Sequence, residues 1–123
     1  LENMLRARPY ISNALVHCAR RPYVVALITL DLGAIEAAHP VMDDAAPRSE
    51  IIRAMIEKQI EVVNRVLPRF EQIKDFRILD GDFSAQTGEM TLTFKLKRRV
   101  IETRHRTLLD EMYSRHESRP GAL

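Results

Sequence analysis

A long amine held outward on a well-anchored backbone can reach a ligand that the rest of a domain does not touch, and Lys95 stands where such an amine can be presented. Thr87-Gly88-Glu89 reads as a turn, and the run after it alternates Met90, Leu92 and Phe94 against Thr91, Thr93 and Lys95. That alternation predicts a short strand. Directly afterwards the pattern changes to a basic helix, roughly Leu96 to Tyr113, through Arg98, Ile101, Leu108 and Met112. Lys95 is therefore expected at a strand-to-helix junction. Around it lie Lys97, Arg98, Arg99, Arg104 and Arg106. Such a cluster admits three explanations: a solvated helix face, a nucleic-acid footprint, or contact with the phosphates of a nucleotide. The cluster lacks interleaved aromatic residues and the chain carries a net charge of only +2, which argues against nucleic acid. Solvation is the default for long cationic side chains, and residue types alone leave it open against phosphate contact.

Other constellations fail on spacing. Asp80-Gly81-Asp82-Phe83-Ser84 imitates a calcium loop, but Ala85 stands where the loop needs Gly, and Thr91 where it needs a bidentate Glu. A turn is the better reading. His17, His39, His105 and His116 suggest a metal until His105 and His116 are placed about 16 Å apart along one continuous helix. No metal site is expected. Cys18 beside His17 is no nucleophile–base pair, because strand neighbours point to opposite faces. No Gly-rich phosphate loop occurs, so the chain does not supply a main ATP cradle. Glu2, Asn3 and the Tyr10 region show no chemistry beyond structure.

The elements that must hold Lys95 follow from periodicity. Leu1 to about Arg8 reads as helix ended by Pro9, and its opening reads as mid-helix, so the chain is expected to be a piece of a longer polypeptide. Ile11–Cys18 and Tyr23–Leu30 are apolar, β-branched runs that predict a hairpin. Val24-Val25-Ala26-Leu27-Ile28 barely alternates, as expected of a strand covered on both faces. Asp31 can cap a helix from Leu32 to Ala38 that His39-Pro40 ends, and Met42 to Arg48 is a polar loop. The longest helix is expected from Ser49 to Leu67, with Ile52, Ile56, Ile60, Val63 and Leu67 as its stripe and Ile51, Met55, Val62 and Val66 widening it. Pro68 marks its end. Ile73–Leu79 is a third strand, and Asp80-Gly81-Asp82 turns the chain. The fold class is α+β: a small sheet of three to five strands with helices packed on it.

With 123 residues the chain makes one domain, small for an ATP-using enzyme. No apolar run approaches the ~20 residues a membrane span needs. Its single cysteine excludes an internal disulfide and makes a reduced, cytoplasmic setting the expectation.

Three segments resemble long-chain fatty acyl-CoA synthetases, members of the adenylate-forming superfamily. Arg20-Arg21-Pro22-Tyr23-Val24-Val25-Ala26-Leu27-Ile28-Thr29-Leu30-Asp31 is similar to one family signature. Leu67 through Leu79 extends the likeness, and Gly88 through Arg99 resembles the terminal motif. The resemblance implies residues 1–114 as the small lid domain starting just after the hinge, and 115–123 as a frayed tail. A large N-terminal domain of the same polypeptide would bind ATP, Mg²⁺ and the fatty acid. It implies a ligase that makes acyl-AMP and pyrophosphate, then passes the acyl group to CoA after the small domain rotates. The small domain alone would be inactive, and membrane association would come only through the full-length enzyme. Lys95 would be the adenylation lysine. The family's lysine normally follows Gly, where this chain has Phe94, and a Pro two residues earlier is Leu92 here. Lys95 and Lys97 are thus both candidates; Lys95 is preferred because it keeps register with Arg98-Arg99 and because Lys97 falls inside the expected helix. The alternatives are an adenylate-former that loads a carrier protein, and a stand-alone basic module that binds nucleic acid.

Overall fold

The computed structural model describes residues 1–18, 23–38 and 48–117. The chain runs α1 (Glu2–Arg6), β1 (Ile11–His17), β2 (Val24–Leu30), α2 (Leu32–Ala38), α3 (Arg48–Asn64), a short 3₁₀ turn (Arg69–Glu71), β3 (Ile73–Ile78), α4 (Arg98–Arg104) and α5 (Arg106–Glu117). This is an α+β fold on one three-stranded sheet, ordered β1-β2-β3. β2 pairs antiparallel with β1 (Leu15 opposite Leu27) and parallel with β3 (Ala26 opposite Phe76). The parallel partner requires a crossover, which α2 and α3 provide.

β2 lacks alternation because both of its faces are covered. Val24, Ala26 and Ile28 pack into a cluster with Leu5 of α1 and Ile52, Ile56, Ile60 and Val63 of α3. Val25 and Leu27 face the other way, into a cluster with Ile101 of α4 and Leu109, Met112 and Tyr113 of α5. Asp31 caps α2 as expected, its Oδ1 accepting the Ala34 N–H at 3.1 Å.

Several boundaries differ from the sequence expectation. α3 ends at Asn64, not Leu67, because the Asn64 side chain leaves the helix pattern to bridge the next strand. It accepts from Ile73 N at 2.8 Å and donates to Ile73 O at 3.1 Å. Val66, assigned to the stripe, is consequently 70% exposed. Cys18 lies past the end of β1 and is exposed. The expected strand Met90–Lys95 is no member of the sheet: only one isolated antiparallel bridge, Met90 to Leu96, forms there. The final helix starts at Arg98 and is interrupted at His105 (φ −110°, ψ 24°) before running on to Glu117. The loop 42–47, the His39-Pro40 stop and the Arg20-Arg21-Pro22 part of the family signature lie outside the described residues.

Candidate functional site

Lys95 sits on a tight hairpin. Phe94 N–H donates to Thr91 O at 3.0 Å, closing a turn over Leu92 and Thr93. Phe94 itself is left-handed (φ 65°), and Thr91 N–H then reaches Lys95 O at 2.8 Å. A turn followed by one left-handed residue is a standard three-residue hairpin loop, and the left-handed position normally favours Gly. The departure noted in the sequence thus falls on the one residue of this loop whose backbone suits Gly. The Thr91 hydroxyl also accepts the Lys95 N–H at 3.0 Å, so the lysine's backbone is held from both sides. Met90 is buried in the α4–α5 cluster and Leu96 packs against it, which anchors both feet of the hairpin.

The Lys95 side chain is exposed and its ammonium has no hydrogen bond or ion pair among the described residues. It borders a groove of about 430 Å³ that Arg6, Asn13, Phe94, Arg98 and Glu2 also line. Arg98, though half-exposed, has fixed partners. Its guanidinium donates to Glu2 Oε1 at 2.7 Å and to Val16 O at 3.0 Å. Glu2, expected to show no chemistry beyond structure, also accepts the Val16 N–H at 2.7 Å. Burial works to raise the Glu2 carboxyl, but the Arg98 and Val16 hydrogen bonds with the charges of Arg98 and Arg6 outweigh it and hold the carboxyl below its usual value. With Glu2 neutralised by Arg98, Arg6 and Lys95 leave the groove positive, which suits a phosphate or carboxylate. Lys97 does not line it. That residue is the N-cap of α4 rather than a position inside a helix, and its N–H donates to Glu89 O at 2.8 Å.

The rejected constellations have structural occupations. Asp82 Oδ1 accepts from Thr29 Oγ1 and Phe83 N, each at 2.8 Å, tying the turn to β2. His17 pairs with Glu102 at 3.1 Å and His105 with Glu89 at 3.3 Å. Among the described residues no group of three or more His, Cys, Asp or Glu is placed to hold a metal ion.

The profile of the AMP-binding enzyme C-terminal domain matches residues 1–117, essentially every described element. The chain belongs to that family. Among curated relatives, the long-chain-fatty-acid–CoA ligase FadD15 of Mycobacterium tuberculosis is 35% identical over 123 residues, covering 94% of this chain and 20% of the relative. The long-chain-fatty-acid–CoA ligase ACSBG2 of Gallus gallus is 31% identical over 131 residues, covering 88% of this chain and 17% of its own length. This AMP-binding enzyme C-terminal domain therefore spans about a fifth of the curated relatives it matches. Its fold is also that of a solved A-PCP didomain of carboxylic acid reductase from Segniliparus rugosus in complex with AMP, with a TM-score of 0.74 over 94% of this chain and 16% of that one, at 18% identity. The likeness is in fold. Sequence reasoning missed two features of the domain: the Glu2–Arg98 clamp and the buried Glu89. Glu89 was read only as part of the turn before Met90, where a buried carboxylate is not expected.

Proposed function

We propose that this domain is the mobile lid of a long-chain fatty acid–CoA ligase, with Lys95 as its adenylation lysine. A fatty-acid carboxylate oxygen attacks the α-phosphorus of ATP, pyrophosphate leaves with the electron pair of the broken P–O bond, and acyl-AMP results. The CoA thiol then attacks the acyl carbon and AMP leaves. Two anions meet in the first step, and Lys95 Nζ placed between them lowers their repulsion as charge grows on the phosphate oxygens. The observation that carries the reading is the placement of Lys95: an exposed amine on a backbone-locked hairpin, beside a groove where Arg98 is paired with Glu2 and Arg6 adds a further positive charge. Residues 1–117 supply the lid, and a large N-terminal domain supplies the sites for ATP and acid. Among the described residues no donor group is placed to hold Mg²⁺, so no step is assigned to the ion in this domain.

CoA is favoured over a carrier protein as acceptor because the relatives above 30% identity are named as CoA ligases, whereas the carboxylic acid reductase likeness is one of fold. The test joins this domain to its large domain and supplies ATP, palmitate and CoA. Palmitoyl-CoA, AMP and pyrophosphate are expected in equal amounts, and acyl-AMP with pyrophosphate when CoA is withheld. Release of ADP and phosphate, or acylation of a carrier protein in preference to CoA, would contradict the reading.

A further inference from the structure

We propose that Glu89 is the positioning residue of Lys95, locking the base of the lysine hairpin to the break between α4 and α5. The inference rests on Lys95 being the adenylation lysine. Glu89 is 6% exposed, and nothing in the proposed chemistry uses it. Its two carboxylate oxygens are held from two different elements. Oε1 accepts the Thr87 hydroxyl at 2.8 Å, within the loop that leads into the hairpin. Oε2 meets His105 Nε2 at 3.3 Å and Arg104 Nη1 at 3.5 Å, at the helix break. The same guanidinium donates to Thr87 O at 2.7 Å. Glu89's main chain takes the other half of the load: its carbonyl accepts the Lys97 N–H at 2.8 Å, and its N–H donates to Ser84 O at 3.1 Å. One residue therefore fixes the segment entering the hairpin, the residue leaving it, and the helix pair beneath. A continuous helix from Arg98 to Glu117 would keep Ile101, Leu109 and Met112 on one face equally well. The break at His105 is thus not demanded by the core, and at that break both Arg104 and His105 reach Glu89.

Glu89→Gln tests this with little change of shape. The amide is uncharged and has one accepting oxygen where the carboxylate has two. Turned to Thr87 it sets a donor against the Arg104 guanidinium, and turned to Arg104 and His105 it keeps only a neutral, weaker acceptor there. In the full-length enzyme, Glu89→Gln should slow acyl-AMP formation about tenfold, the scale of a sub-ångström misplacement of a catalytic group, with KM for ATP and palmitate unchanged. Thioester formation from preformed palmitoyl-AMP should stay within about twofold. In a Lys95→Ala background, Glu89→Gln should add no further loss, because the group it positions is gone. Arg104→Gln, at a half-exposed site, loosens the same anchor without emptying the core, and should give a smaller loss confined to the same half-reaction. Equal losses in both half-reactions, a loss that persists in the Lys95→Ala background, or normal adenylation in both Glu89→Gln and Arg104→Gln would overturn the inference. Normal adenylation in Lys95→Ala alone would instead sink the assignment of Lys95 on which it rests.

Discussion

Phe94 occupies a left-handed backbone (φ 65°) with its ring 81% exposed, so its side chain gains little from burial while its backbone carries a steric cost. A left-handed residue with a Cβ costs about 1–2 kcal/mol, partly offset by the ~0.5–1 kcal/mol that Gly loses in ordering. Phe94→Gly should therefore leave the domain as stable as before or up to about 1 kcal/mol more stable, and Phe94→Val should cost about 1 kcal/mol, since β-branched residues tolerate this region worst. Urea unfolding checks both, and a clear destabilisation by Phe94→Gly would show that the ring has a packing role. Glu2 gives a pH signature. Its folded carboxyl lies below the ordinary value of 4.5, so its contribution to stability is complete above that pH and disappears as pH falls through the folded value. Glu2→Gln should lower the melting temperature at pH 7 and flatten its decline below about pH 4.5. Thermal melts across that range, in parent and variant, decide it; parallel curves would remove Glu2–Arg98 from the account.

At the scale of elements, β2 is the piece most constrained. Leu27 is fully buried under α4 and α5, and Leu27→Ala should cost about 3 kcal/mol. Val66→Ala, at a position 70% exposed, should stay within about 0.5 kcal/mol although sequence periodicity put both residues in the core. Denaturant midpoints of the two variants check this contrast. The contrast also shows what the sequence disclosed. Elements whose identity is set by burial periodicity, the β1–β2 hairpin, α2 and α3, were legible because water exclusion on one or both faces writes itself into residue types. Elements set by specific polar contacts were not. Asn64 ends α3 by bonding across to Ile73, and the lysine hairpin is built on a Thr91 hydroxyl and a left-handed Phe94, neither of which alternation records. Glu89 was hidden for the same reason: a buried carboxylate with polar partners from two elements has the sequence appearance of a surface residue. Lys95 itself was singled out as a candidate through motif register, with periodicity supplying only its place after the alternating run.

At the scale of the whole molecule, the sheet with α1 and α3 on one face and α4 and α5 on the other is the packed body that carries one exposed hairpin. If that body swings, Lys95 enters the adenylation site in one orientation and leaves it in the other. The two half-reactions would then be separable by a single side chain. The most direct test is to measure pyrophosphate release and, separately, acyl-CoA formation from preformed acyl-AMP in full-length enzyme carrying Lys95→Ala or Lys97→Ala. Lys95→Ala should slow the first at least ~10²-fold and spare the second, with Lys97→Ala near normal in both. Equal losses in the two half-reactions for Lys95→Ala, or a larger adenylation loss for Lys97→Ala, would contradict the account.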